Sequence, residues 1–251
     1  MTRILLVSPH LDDAVFSMGG IAATLAATGA QVTMATAFTR SVHPATGFAL
    51  ACQLDKGLSA DIDYMALRRN EDAAAARVLG VDPVWLDLPE APHRGYDNAA
   101  ALFSGPREDD AVADALADAV APLVAEADWV FAPQGLGGHV DHGRVIAALL
   151  AVGPRRIAWW EDTPYVIRTP EARPHMALQS LQPTTVRFGT HALEAKIAAS
   201  CAYASQLGFQ LAGPDRAAEA LTNLSYRRGG AQPAERLLCS DPDLLEDLCG
   251  V

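Results

Sequence analysis

Basic residues are few: 19 lysines and arginines stand against 30 aspartates and glutamates, a formal net charge of -11. A chain so acidic repels a phosphate backbone, and no local basic run offsets it, which excludes nucleic acid as the expected partner. Cysteine is scarce, with Cys52, Cys201, Cys239 and Cys249 scattered and no Cys-x-x-Cys spacing. That excludes the disulfide framework of a small secreted scaffold and predicts reduced thiols in a cytoplasm. Long hydrophobic runs are missing as well. The opening Met-Thr-Arg leads into a short apolar stretch interrupted at Pro9 and His10, too brief for a signal segment and far too brief to span a bilayer. Internal repeats, low-complexity tracts and linker-like runs of Ser, Gly and Pro are absent too. These absences predict a soluble cytoplasmic protein that binds a small molecule and no membrane, and they leave room for a homo-oligomer.

What is present fits one α/β domain over residues 1–251. Apolar runs suited to buried parallel strands lie at about residues 3–8, 31–37, 84–87, 128–132 and 156–160. Helical spacing separates them, as in Val112, Leu116, Val120 and Leu123, in Val145 with Leu149, and later in Leu193, Ile197 and Cys201. Such alternation implies βαβ units wound into a Rossmann-like twisted, mainly parallel sheet with helices on both faces. Ligands in such sheets bind beyond the carboxyl ends of the strands. Two connections are long, residues 38–62 and Pro89 through Glu108, and long loops in compact domains are often functional.

Two segments carry chemistry, each where an apolar run ends. Ile4-Leu5-Leu6-Val7 empties into Ser8-Pro9-His10-Leu11-Asp12-Asp13, and Trp129-Val130-Phe131-Ala132 precedes Gly137-Gly138-His139-Val140-Asp141-His142. A tight turn brings residues three apart onto one side, so His10 and Asp13 can aim at one point, and His142 can complete the set. Two imidazoles and a carboxylate form a ligand set of catalytic zinc sites that keep a position open. Non-haem iron takes the same triad, so Fe2+ or Co2+ could stand in for Zn2+. Asp12 cannot share that direction but stays within reach of a water activated there, which makes it the candidate general base. His139 can stabilise a developing oxyanion or protonate a leaving amine. Asp141 is placed to orient one of these histidines. His93, Arg94 and Tyr96 lie in a loop expected to overhang the strand ends, offering hydrogen bonds and a stacking face to a sugar, and Tyr165 is a further candidate for the pocket wall.

Pro9-His10-Leu11-Asp12-Asp13 and His139-Val140-Asp141-His142 resemble the two signatures of the PIG-L/LmbE-like de-N-acetylases. Arg68-Arg69-Asn70-Glu71-Asp72, Trp160-Glu161-Asp162-Thr163-Pro164-Tyr165 and the stretch from Lys196 through Tyr203-Ala204-Ser205-Gln206 fit the same resemblance, which thereby covers most of the chain. It implies a Rossmann-like sheet, zinc held by His10, Asp13 and His142, Asp12 as base, His139 near the oxyanion, and an arginine near Arg68 helping to hold substrate. Many members read His-Pro-Asp-Asp-Glu, whereas Leu11 and Ala14 stand here, and neither change removes a ligand.

The expected activity is removal of an N-acyl group, with acetyl foremost, from an amino sugar or sugar conjugate. An amidase for a larger acyl group or a thiol conjugate is a neighbouring alternative. A nonhydrolytic sugar- or nucleotide-binding module is a third. Against nucleotide, the first strand-to-helix turn lacks Gly-x-Gly-x-x-Gly and puts two carboxylates where a pyrophosphate would sit.

Overall fold

The computed structural model describes residues 1–250. In chain order the elements are β1 (Arg3–Ser8), α1 (Asp13–Ala27), β2 (Gln31–Thr36), α2 (Gly47–Leu54), α3 (Tyr64–Leu79), β3 (Asp82–Trp85), α4 (Val112–Glu126), β4 (Trp129–Pro133), α5 (Val140–Val152), β5 (Ile157–Trp160), α6 (Tyr165–Arg168), β6 (Gln182–Arg187), α7 (Thr190–Cys201), α8 (Ala204–Leu211), α9 (Pro214–Gly229), β7 (Ala234–Cys239) and α10 (Pro242–Cys249). They build one seven-stranded sheet of order β3-β2-β1-β4-β5-β7-β6. The first five strands of that order run parallel, and β7 and β6 add antiparallel pairs at one end.

The period of two along each central strand explains why helices cover both faces. Ile4, Leu6, Trp129, Phe131, Ala158 and Trp160 enter one apolar cluster with residues of α1, α3 and α7. Their neighbours Leu5, Val7, Val130, Ala132 and Trp159 enter a second, with α4 and α5. Strands buried on both sides read as unbroken apolar runs, which is why they are visible in the sequence.

Three expectations change in detail. Strand β3 lies at Asp82–Trp85 rather than 84–87, although Leu86 and Leu88 still donate their N–H groups to Thr36, the last residue of β2, and to Ala37 just beyond it. The 38–62 connection contains α2, and the loop after β3 holds short 3-10 turns at Ala91–His93 and Ala101–Phe103. The region from Pro214 supplies α9, the antiparallel strand β7 and α10.

Glycine and a buried ion pair fix α1 against its neighbours. A Cβ on Gly20 would lie 2.3 Å from the Phe188 ring, and one on Gly19 would lie 2.9 Å from Lys196 Cγ. Lys196 Nζ donates to Glu235 Oε1 at 2.6 Å, and the same carboxylate accepts the N–H groups of Gly20 and Ile21. The helix that begins at Asp13 is thereby held to α7 and β7. Among the described residues no helix is long and apolar enough to cross a membrane, and the four cysteines are free thiols.

Candidate metal centre

Strand order reverses between β1 and β4, since β1 is flanked by β2 on one side and β4 on the other. The crevice beyond the carboxyl ends of such a pair is where an α/β sheet places its ligand. At the end of β1, Ser8 Oγ donates to His10 O at 2.7 Å and accepts from Ala14 N at 3.0 Å, closing the turn into α1. His10 N donates to Asp13 Oδ2 at 2.9 Å, and His10 Nδ1 lies 3.0 Å from the same oxygen. From α5, His142 Nε2 approaches that oxygen to 3.3 Å. The three residues offer ligand atoms that all lie within 4.8 Å of one another.

The donor set fits a divalent cation. His142 Nε2 is buried and has no hydrogen-bond partner, although it faces a carboxylate oxygen. The other nitrogen of each ring is anchored by a carboxylate, which fixes ring orientation and leaves the inner nitrogen turned toward Asp13. His142 Nδ1 is 2.5 Å from Asp162 Oδ1, and His10 Nε2 is 2.9 Å from Asp141 Oδ2. Burial disfavours a charged His142, but Asp13 and Asp162 outweigh it and hold the ring's pKa up to about 10. The two carboxylates therefore favour positive charge at this ring. His10, His139 and Asp141 also cluster. There, however, Asp141 accepts from Arg94, His10 and Ala91, and His139 Nδ1 accepts from Asp141 N, so the polar atoms already have partners.

Asp12 stands beside this set, 4 % exposed. Burial and the neighbouring Asp13 push its pKa up to about 7, against the pull of Arg68 and His10. Arg68 is equally buried. Its Nη2 lies 3.6 Å from Asp12 Oδ1 and donates to Leu11 O, while Nη1 donates to Glu90 Oε1 at 2.5 Å. The helix residue Glu71 is not its partner, since that carboxylate accepts from Ser205 N and Oγ. Across the crevice His139 is the N-cap of α5, with Nδ1 accepting from Asp141 N at 3.1 Å. That bond leaves Nε2 as the hydrogen-bearing nitrogen of the neutral ring. Burial lowers the His139 pKa to about 3, so the neutral form prevails near pH 7.

Arg68, expected to help hold substrate, is thus engaged with protein, and two further expected contacts are turned inward. Tyr96 is 1 % exposed and its hydroxyl donates to Asp110 Oδ2 at 2.9 Å, so its ring offers no stacking face. Arg94 bridges Asp110 and Asp141 and donates to Pro89 O, which leaves its guanidinium engaged with protein. His93 is half-buried, with its pKa lowered by that burial. Tyr165 does line the centre: its ring meets His142 edge-on at 5.6 Å. Gly137 permits that approach, because a Cβ there would lie 2.3 Å from the tyrosine ring. Asp141 orients His10, not either histidine of its own segment.

Sequence reasoning gave no role to two residues placed here. Asp162 backs His142, and its sequence signal is a carboxylate two residues after the apolar run of β5. Phe103, 47 % exposed, stands edge-on to His139 at 5.3 Å and to Tyr165 at 6.3 Å. A large apolar side chain within a long loop was its only signal.

Comparison with known proteins adds independent findings. The family model described as PIG-L, GlcNAc-PI de-N-acetylase, matches residues 5–152, a stretch that contains both histidine-aspartate segments. The chain is 40 % identical over 172 residues to 2'-N-acetylparomamine deacetylase of Streptomyces fradiae, a match over 65 % of this chain and 57 % of that relative. Just over half the length of that curated relative is therefore represented. Among solved structures, the A40926 pseudoaglycone deacetylase Dbv21 superposes with a TM-score of 0.81 at 29 % identity, covering 95 % of this chain and 96 % of that one. The zinc-inhibited form of teicoplanin deacetylase Orf2 gives 0.80 at 25 % identity, covering 95 % and 97 %.

Proposed function

The chain belongs to the PIG-L (GlcNAc-PI de-N-acetylase) family, and from that premise we propose that it is a metal-dependent hydrolase that removes an N-acyl group, acetyl foremost, from an amino sugar or sugar conjugate. One observation carries the reading. A buried, unpartnered His142 Nε2 faces Asp13 and His10 while a second buried carboxylate, Asp12, stands outside the ligand set. A binding module has no need of that extra carboxylate. Names of the related proteins support the same reaction class, since the relatives described above are deacetylases.

His10, Asp13 and His142 would hold the metal, with zinc the expected ion and Fe2+ or Co2+ compatible with the same donors. When bound, such an ion supplies Lewis acidity to the amide carbonyl and acidifies water. Asp12 accepts the proton of the water that adds to the carbonyl carbon. The neutral His139 donates from Nε2 to the oxygen as negative charge gathers on it. The carbon-nitrogen bond then breaks, and the proton held by Asp12 is the one the departing amine requires. Arg68, fixed by Glu90, stays beside Asp12 and favours its charged form before each turnover. Phe103 and Tyr165 frame the entrance and suit the apolar face of a sugar, with His93 as a hydrogen-bonding neighbour. The free thiols are compatible with work in a reducing cytoplasm.

The test is acetate release from N-acetylated amino sugars, with N-butyryl counterparts alongside to expose an amidase preference for larger acyl groups. Asp12→Asn is expected to retain the metal and to lose turnover by about 100-fold or more, a typical general-base contribution. Loss of the ion in that variant, with turnover restored by added metal, would reassign Asp12 to metal binding.

A further inference from the structure

We propose that Arg94 is a positioning residue for the metal ligand His10, and that through it the order of the 89–111 loop and occupancy of the metal site are linked. The inference rests on the ligand assignment above and concerns how one ligand is held.

Arginine is rarely buried in a long connecting loop, because desolvating the guanidinium is costly unless every donor is matched. Here the Arg94 side chain is only 8 % exposed. Its Nη1 donates to Pro89 O at 2.7 Å, at the start of the loop. Its Nε and Nη2 donate to Asp110 at 3.1 and 3.2 Å, at the loop's end. Nη2 also donates to Asp141 Oδ1 at 2.7 Å, on the first turn of α5. Phe38 lies under the guanidinium at 4.9 Å. One side chain thus ties the two ends of the loop to each other and to the metal centre.

The next contact reaches the ligand. Asp141, with no exposed side-chain surface, accepts from His10 Nε2 at 2.9 Å through its other oxygen, which also takes Ala91 N–H of the same loop. The orientation that this carboxylate imposes on the imidazole leaves Nδ1 directed at Asp13. Without Arg94, Asp141 is a fully buried anion with no arginine beside it, and its position relative to His10 is no longer over-determined. Linkage is reciprocal: whatever favours the seated His10 favours the seated loop, and the converse. The ligand on the other side lacks this device, because Asp162 takes its backbone donor from Leu136 in the β4–α5 turn. The same loop carries Phe103 over His139, so the segment linked to metal occupancy also presents an aromatic edge to the substrate entrance.

The experiment measures zinc affinity by competition with a chromophoric chelator for the wild type, Arg94→Met, Arg94→Lys and Asp110→Asn. Amide hydrogen exchange of peptides spanning 89–111 is followed with and without zinc. The expected result is affinity lower by about 10- to 100-fold in Arg94→Met, the range for residues that support metal ligands, with partial recovery in Arg94→Lys. Asp110→Asn, which loosens the loop without touching Asp141, falls between. Zinc slows exchange of the loop in the wild type, and that protection is lost in Arg94→Met. Should Arg94→Met not fold, the lysine and Asp110 variants make the same comparison. Wild-type affinity in these variants, or a wild-type loop indifferent to zinc, overturns the linkage and leaves the metal site standing. Absence of zinc binding by the wild type itself overturns the ligand assignment and this inference together.

Discussion

The two imidazoles that face Asp13 are each backed by a buried carboxylate, yet the two carboxylates sit in opposite electrostatic surroundings. Burial works against ionisation of both. At Asp141 the hydrogen bond and charge of His10, with His139 and Arg94 nearby, overcome it and hold the group well below the ordinary carboxylate range. At Asp162 burial wins over the hydrogen bond to His142 and the Leu136 N–H, and the pKa is raised. The His142 support is local scaffold, built from the turns that follow β4 and β5. The His10 support, Asp141, stands on the first turn of α5 and is itself held by Arg94 and Ala91 N–H from a loop with little regular structure. Two buried carboxylates in matching roles can therefore differ in what holds them, one set by a turn amide beside the strand ends and the other tied through Arg94 to a loop.

Removing a ligand outright abolishes the comparison and has the largest effect. His142→Ala deletes the donor and leaves Asp13 and Asp162 facing a buried gap, so zinc affinity is expected to fall by more than the roughly 100-fold seen when only a supporting residue is lost. Elemental analysis of protein purified without added metal measures it, and retention of one equivalent of zinc would remove His142 from the ligand set.

Replacing the two supporting carboxylates one at a time sharpens the comparison. Asp141→Asn and Asp162→Asn should each weaken zinc by about 10- to 100-fold, with Asp141→Asn at the upper end. The larger effect follows because Arg94 keeps one buried anion instead of two and Ala91 N–H loses a charged acceptor. Destabilisation of the metal-free protein by about 1–3 kcal/mol is therefore expected for Asp141→Asn, as for a buried group left under-partnered. Thermal unfolding with and without zinc separates the two, since Asp162→Asn should shift mainly the zinc-bound transition. Equal shifts in both proteins would mean that the loop adds nothing to the His10 side.

The same contrast decides what could be read from sequence. His10, Asp12, Asp13, His139, Asp141 and His142 were legible because each follows a buried apolar strand, the first three within five residues and the last three within nine, at the end where an α/β sheet binds ligands. Asp162 also follows such a run, but its partner is 20 residues earlier and no local spacing pairs them. Arg94 and Tyr96 were read as facing outward because sequence gives no side-chain direction within a loop. Their common partner, Asp110, lies beyond any local pattern. Strands β6 and β7 escaped for a related reason. Glu235 and Arg236 interrupt the apolar pattern of β7, and Glu235 is tolerated there because Lys196 and two amides of α1 surround its carboxylate.

The smallest expected effect belongs to the residue that touches neither support. Phe103 is half exposed and meets His139 and Tyr165 in T-shaped contacts, so Phe103→Ala should leave zinc affinity unchanged. An aromatic contact of this kind contributes about 0.5–1.5 kcal/mol beyond area burial, which corresponds to a rise in KM of roughly 2- to 10-fold for an N-acetylated sugar. The turnover number should hold, because a ring that binds ground and transition states alike changes KM alone. A fall in kcat at constant KM would point elsewhere: Phe103 would then act by holding the His139 ring at its donating angle. Phe103→Leu distinguishes the two, since an aliphatic side chain can fill the space beside His139 but presents no flat face to a sugar.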